Sequence, residues 1–244
     1  MLVGFVKKVN VLAKVFQATH VGKVRSNNED SLTVIEPETF VVADGMGGAS
    51  AGEVASQMLV QIVRIVLENV SAPRDEKLLA RAIMVANAKI FETAKQNEDL
   101  RGMGTTATIL SLEGTTAHFA HVGDSRLYLL RGKHLEQVTQ DHSYVENLVR
   151  RGELTPEQAR VHPMKNVLLQ AVGAVEEVFV DAASFPVHSG DKFLLCTDGL
   201  TNMVDDAAIA EILLTATNPA DALIDAALAN GGKDNVTVIV AGVD

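Results

Sequence analysis

Thr105-Thr106-Ala107-Thr108-Ile109-Leu110-Ser111-Leu112 and Thr115-Thr116-Ala117-His118-Phe119-Ala120-His121-Val122 stand on either side of Glu113-Gly114. Both stretches carry several β-branched residues and read as strands, and the glycine between them suits the positive φ of a hairpin turn. The second strand runs into Gly123-Asp124. A third, Arg126–Arg131, is joined to a fourth, His134–Gln137, through Gly132-Lys133. Strands joined by tight turns are antiparallel neighbours, which argues against a parallel, doubly wound sheet.

Working outward, the same signal places strands at Val15–Ala18, Ser31–Ile35, Thr39–Ala43, Val178–Ser184, Lys192–Thr197 and Val236–Gly242. Two stretches have helical period instead. Ser50–Glu68 repeats Val54, Met58, Ile62, Ile65 and Val66, and opens with Ser50 and Glu53 at the spacing of a capping box. Lys77–Gln96 repeats Leu78, Ala82, Val85, Ile90 and Ala94. A later pair spans Asp206–Thr215 and Pro219–Ala229; the second has Asn218 as cap, Pro219 at its first position and Gly231-Gly232 at its end. Helices that arrive in sequential pairs, between groups of hairpin strands, favour stacked antiparallel sheets covered by helices. No repeat, low-complexity tract or long linker interrupts the pattern, so residues 1–244 are expected to form a single domain.

Composition narrows the partners. The 244 residues include 31 acidic and 21 basic side chains, a net charge of −10, with no basic stripe. Such a chain is repelled by nucleic-acid phosphates. The lone cysteine, Cys196, lies in the apolar run Phe193-Leu194-Leu195-Cys196 and reads as a buried thiol. One cysteine makes neither an intrachain disulfide nor a cysteine zinc site, which fits a reducing compartment. The histidines include no HExxH pair. Met1–Phe16 is apolar but broken by Lys7, Lys8 and Lys14, and no run approaches the ~20 apolar residues of a membrane span. A cytoplasmic protein without a membrane anchor is expected.

The informative pattern is where the acids sit. Thr39–Ala43 ends at Asp44-Gly45, Thr115–Val122 at Gly123-Asp124, and Lys192–Thr197 at Asp198-Gly199. Val236–Gly242 starts after Asp234-Asn235, and Ser31–Ile35 after Glu29-Asp30. Asp and Gly are common turn residues, and each site alone is explained that way. Together, rigid strands converging on one edge gather the carboxylates into an oxygen-rich cluster that repels itself unless divalent cations relieve it. Oxygen ligation without paired His or Cys selects hard ions, Mg²⁺ or Mn²⁺. Paired ions of this kind suit phosphoryl chemistry, and Arg25, five residues before Asp30, offers a planar fork for phosphate.

These residues resemble the metal-dependent Ser/Thr protein phosphatases of type 2C, in their compact bacterial form. The motifs run in family order: Gly22-Lys23-Val24-Arg25-Ser26-Asn27-Asn28-Glu29-Asp30, Val42-Ala43-Asp44-Gly45-Met46-Gly47-Gly48, Gly102-Met103-Gly104-Thr105-Thr106 and His121-Val122-Gly123-Asp124-Ser125-Arg126. Thr139-Gln140-Asp141-His142-Ser143, Asn166–Gly173, Cys196-Thr197-Asp198-Gly199-Leu200 and Gly231–Thr237 follow, so the resemblance covers about residues 17–243.

The resemblance implies an α+β fold, a four-layer αββα sandwich of two antiparallel sheets flanked by helix pairs. It implies hydrolysis of phosphoserine and phosphothreonine by direct attack of a metal-activated water at a binuclear Mg²⁺ or Mn²⁺ centre, with a third ion as an option. By motif match Asp44 bridges both ions, and Asp198 and Asp234 complete the ligands of the first. The Gly45 carbonyl, Asp30 and Glu29 serve the second, directly or through water. Asp124 shares a third ion with Asp198, Arg25 binds phosphate, and Asn235 supports Asp234. Residues 143–165 match the variable flap beside the site, with a second helix starting at Thr155-Pro156. The implied partners are phosphorylated proteins and an opposing Ser/Thr kinase in bacterial signalling, and a monomer is expected. Two features depart from relatives: Met46 and Ala49 stand where one or another branch places a histidine proposed as general acid. Lys165 stands where bacterial relatives often have Arg. His142 and His162 read as structural residues.

Overall fold

The computed structural model describes residues 14–36, 38–47, 51–70 and 73–243. Most of the apolar N-terminal segment and the Ser50 end of the expected capping box lie outside the described residues, as do Gly48 and Ala49.

In chain order the first half runs β1 (Lys14–His20), β2 (Asp30–Ile35), β3 (Thr39–Met46), α1 (Ala51–Glu68), α2 (Glu76–Gln96), β4 (Gly104–Thr105), β5 (Ala107–Glu113) and β6 (Thr116–Val122). The second half runs β7 (Arg126–Arg131), β8 (His134–Gln137), α3 (Tyr144–Arg150), α4 (Pro156–Arg160), β9 (Asp181–Pro186), β10 (Lys192–Cys196), α5 (Asp198–Thr201), α6 (Asp206–Thr215), α7 (Pro219–Ala229) and β11 (Val236–Gly242). One sheet has the order β1-β11-β10-β7-β8; the other has β2-β3-β5-β6-β9, with β4 paired to β3. Every paired strand is antiparallel, as the hairpin glycines require; Gly114 and Gly132 take φ of 60° and 61°.

Alternation along the strands builds three apolar layers. Phe40 and Val42 of β3 face inward, with Leu110, Phe119, Phe193, Leu195 and Ile239, and fill the space between the sheets. Val41 and Ala43 face the other way and pack under α1 and α2, against Leu59, Val63, Ile83 and Ile90. On the far side Tyr128, Leu194, Cys196, Val238 and Val240 meet α6 and α7 through Ile209, Leu213 and Leu223. The result is helix pair, sheet, sheet, helix pair, the αββα order expected, with Cys196 fully buried. None of the described helices is long and apolar enough to cross a membrane.

Boundaries differ from the expectations for local reasons. The strand expected at Thr39–Ala43 runs on to Met46, because Asp44 pairs with Asp30 and Gly45 with Thr105. The run from Thr105 to Leu112 is two strands, because at Thr106 the chain turns its hydrogen bonds to the end of β3. Thr106 N donates to the Asp44 carbonyl at 2.9 Å, and its hydroxyl accepts from Asp44 N at 2.8 Å. The strand expected at Val178–Ser184 begins at Asp181 and runs to Pro186. Its ladder follows β6, which stops one residue after His121, the partner of Asp181. Residues 198–201 form a short helix where a strand-end turn was expected, with Thr197 as its N-cap. In the flap, a second helix starts at Thr155-Pro156 as expected, and Thr155 forms a capping box with Gln158.

Leu59 is fully buried between α1 and the sheet beneath it. Leu59→Ala is expected to lower unfolding stability by about 2–5 kcal/mol, read as a fall in the urea midpoint at unchanged slope. A shift under about 0.5 kcal/mol would mean that this layer does not carry the packing described.

Candidate functional site

The antiparallel order brings the acidic strand ends to one edge. Asp30 opens β2 directly opposite Asp44 near the end of β3. Asp198 follows β10, and Asp234 precedes β11, the neighbour of β10. Asp124 follows β6 in the other sheet. A cleft of about 460 Å³ opens at this edge, lined by Arg25, Glu29, Asp44, Gly45, Asp124, Asp198, Asp234 and Asn235. Asp30 is not in the cleft wall. It lies behind it, 9% exposed, with Oδ2 accepting from the Thr197 hydroxyl at 2.8 Å.

The carboxylates disturb one another strongly. Burial pushes Asp44 well above the usual carboxylate range, and the charges of Asp30, Asp198, Asp124 and Asp234 push it further. Asp124 is raised by burial, then by Asp198 and Asp141, against the pull of Arg126. Asp198 is raised by burial and Asp234, with Lys165, Asn202 and Arg126 opposing. Asp30 is pushed up to about 7, chiefly by burial, against the Thr237 and Thr197 hydroxyls. Two buried oxygens, Asp30 Oδ1 and Asp198 Oδ1, have no hydrogen-bond partner. Buried, unpaired, mutually repelling carboxylate oxygens are the donor set a hard divalent cation takes.

Some of the other carboxylate oxygens carry donors. Arg25 Nη2 donates to Asp234 Oδ2 at 2.7 Å, and Asn202 Nδ2 to Asp198 Oδ2 at 2.9 Å. Accordingly no three His, Cys, Asp or Glu side chains among the described residues close into a ready-made ion cage. That is compatible with Mg²⁺ or Mn²⁺, which keep several waters and need only one or two carboxylates each.

Backbone packing makes the other half of the site. Gly45 N donates to the Glu29 carbonyl at 3.1 Å, and the Ser56 hydroxyl to the same oxygen at 2.6 Å. A Cβ on Gly45 would overlap the Gly52 carbonyl; one on Gly52 would overlap the Glu29 carboxylate and lie 2.8 Å from the Gly45 carbonyl oxygen. Gly52 thus leaves room for both groups at the start of α1. Asn235 touches Asp234 only through its backbone N–H, at 2.9 Å. Its side chain instead clasps the loop that carries Arg25: Oδ1 accepts from Glu29 N at 2.8 Å, and Nδ2 donates to the carbonyls of Val21 and Asn27 at 2.9 and 2.8 Å.

Met46 lines the cleft. His142 and His162 do not: His142 pairs with Asp181 at 2.8 Å, and His162 packs against Tyr144. Lys165 reaches the Asn202 side chain at 3.1 Å. Sequence reasoning missed Gly52, Thr106, Thr197 and Asn202. A glycine inside a helix, about 1 kcal/mol worse than alanine, was a usable signal for Gly52, and the four-residue spacing from Asp198 was one for Asn202. Nothing in the sequence marks the two threonines.

Residues 19–230 match the family model described as Protein phosphatase 2C. The serine/threonine phosphatase stp of Listeria innocua is 41% identical over 230 residues, covering 90% of this chain and 91% of that protein. The solved structure of the Mycobacterium tuberculosis serine/threonine phosphatase PstP/Ppp superposes with a TM-score of 0.88 at 37% identity, covering 95% of this chain and 99% of that one. A second structure, the PstP catalytic domain in complex with two manganese ions, has a TM-score of 0.87 at 37% identity, with the same coverage.

Two outcomes follow from the repulsion. The folded state holds the Asp30 proton up to about pH 7, whereas the unfolded chain releases it near the ordinary carboxylate value. The folded state therefore binds more protons between these limits, and the metal-free protein loses stability as pH rises through them. Its thermal midpoint is expected to fall from about pH 5 to about pH 7.5, with Asp30→Asn flattening the fall and Mn²⁺ raising the midpoint most at the upper end. A midpoint indifferent to both the Asp30→Asn substitution and Mn²⁺ contradicts the cluster. Gly52→Ala, which crowds Glu29 and the Gly45 carbonyl, is expected to shrink the Mn²⁺-induced rise; an undiminished rise would remove Gly52 from the site.

Proposed function

The chain belongs to the protein phosphatase 2C family and is a serine/threonine protein phosphatase, and we propose that its chemistry runs at the carboxylate cleft through a pair of Mn²⁺ or Mg²⁺ ions. The single observation that carries this reading is the set of buried and half-buried, partly unpaired carboxylates at one sheet edge with Arg25 beside them. The stacked layers support reading the described residues as one phosphatase domain.

Asp44 would hold both ions. Asp198 and Asp234 would complete the first; the Gly45 carbonyl, with Asp30 and Glu29 directly or through water, would serve the second. Asp124, shared with Asp198, would take a third. When bound, the ions neutralise the cluster, polarise the phosphoryl oxygens and supply a water nucleophile at neutral pH. Arg25 is parked on Asp234 with its side chain 56% exposed, so an arriving phosphoryl group can take over its fork with little cost of desolvation. Asn235 keeps that arginine loop in register through its two carbonyl clasps and the Glu29 N–H. Met46 offers no proton, so the leaving serine or threonine oxygen takes its proton from water. The enzyme acts as a monomer in the cytoplasm on phosphorylated proteins and opposes a Ser/Thr kinase there.

Purified protein is expected to release phosphate from phosphoserine and phosphothreonine peptides with Mn²⁺ and to stop with EDTA. Asp198→Ala should lower kcat at least about a hundredfold, and Arg25→Ala should raise KM roughly tenfold or more. Steady-state phosphate release measures both; an Asp198→Ala rate equal to wild type would contradict the assignment of ions to this cleft.

A further inference from the structure

The peptide that carries Asp124 is gripped by two histidines that the chemistry above does not use. The Gly123 carbonyl accepts from the backbone N–H of His142 at 2.7 Å and from Nε2 of His121 at 3.0 Å. The Gly123 N–H donates back to Nδ1 of His142 at 3.3 Å. An Nδ1 that accepts leaves the ring proton on Nε2, which lies 2.8 Å from Oδ2 of Asp181 and donates to it. The His121 and His142 rings pack tilted against each other with centroids 4.9 Å apart, and the Thr108 hydroxyl, 2.9 Å from Nδ1 of His121, fixes the other ring. Gly123 itself admits no side chain: its φ is 109°, and a Cβ there would come within 2.6 Å of Thr106 Cγ2.

The place of the pair in the chain is as telling as its geometry. His142 immediately precedes Ser143, the N-cap of α3, where the flap departs. Asp181 is the first residue of β9, where the chain has returned. The His142–Asp181 contact therefore closes both ends of residues 143–180 onto one peptide, the one before Asp124. As a stabiliser of the fold it is modest: His142 is 11% and Asp181 37% exposed, and pairs screened by solvent contribute about 0–1 kcal/mol. Neither residue lines the catalytic cleft; both line the neighbouring groove of about 390 Å³ on the flap side.

We propose that His142 and Asp181 are positioning residues that tie the two ends of residues 143–180, the flap and the chain returning from it, to the Gly123–Asp124 peptide and so hold the Asp124 carboxylate in place for its divalent cation. This rests on the reading of Asp124 as a cation ligand. It gives His142 a task at the site through the backbone, without contact with substrate.

The test is calorimetric titration of Mn²⁺ into the wild type, Asp124→Ala, His142→Ala, Asp181→Ala and Asp181→Asn, each checked for an intact fold by its unfolding midpoint. Asp124→Ala should lose the Asp124-dependent ion and keep the others. His142→Ala and Asp181→Ala should weaken that same ion roughly ten- to a hundredfold and leave the tighter ions at wild-type affinity. Asp181→Asn keeps an oxygen that accepts from Nε2, and should recover most of the loss. Should His142→Ala fail to fold, the Asp181 pair of variants decides alone. Wild-type affinity for every ion in Asp181→Ala overturns the proposal, as does equal weakening of all ions or no recovery in Asp181→Asn. If Asp124→Ala itself binds the full complement, the reading of Asp124 as a ligand fails, and the proposal falls with it for a different, recognisable reason.

Discussion

Mutual repulsion among buried and half-buried carboxylates is the constraint around which this molecule is arranged. Asp30, Asp44, Asp124, Asp198 and Asp234 occupy one edge of two sheets, and each of the first four is pushed upward by burial and by its neighbours. At an effective dielectric of about 20 a close pair of like charges costs on the order of 4 kcal/mol. A fold stable by about 5–15 kcal/mol cannot carry several such pairs fully ionised and uncompensated. The protein moderates the repulsion with donors: Arg25 on Asp234, Asn202 on Asp198, Thr197 on Asp30. What those donors leave unsatisfied is what cations would complete.

The scaffold holds this edge because its stability lies elsewhere. Three apolar layers run the length of both sheets and owe nothing to the acidic rim. The carboxylates ride on rigid strand ends, so the backbone resists the spreading that repulsion favours. Close backbone packing finishes the arrangement. Gly45 against Gly52, and Gly199 against the Asn235 carbonyl, are contacts that no Cβ permits. The flap adds a further wall whose attachments reach back toward the acids: Lys165 to Asn202 beside Asp198, and His142 to Gly123 beside Asp124.

Much of this was legible in the chain itself, for identifiable reasons. Strands with one face toward each layer alternate regularly, so β3, β5 and β6 are readable from β-branched runs, β7 from the glycine of its hairpin and β10 from its apolar run. The acids were readable because strand-end Asp beside Gly recurred too often for turns alone. What stayed hidden depends on tertiary partners. The break at Thr106 arises from hydrogen bonds to Asp44, sixty-two residues away in sequence. The start of β9 at Asp181 reflects where β6 ends. Asn235 looked like a companion of Asp234, its neighbour, whereas its side chain serves the loop from Val21 to Glu29, more than two hundred residues distant. Long-range hydrogen bonds by small polar side chains have no periodicity to betray them.

The most direct measurement is anomalous diffraction at the manganese edge from crystals grown with Mn²⁺. The account predicts two strong peaks at the Asp44 end of the cleft, one against Asp198 and Asp234 and one against the Gly45 carbonyl. Peaks elsewhere on the surface, with none at this sheet edge, would contradict it.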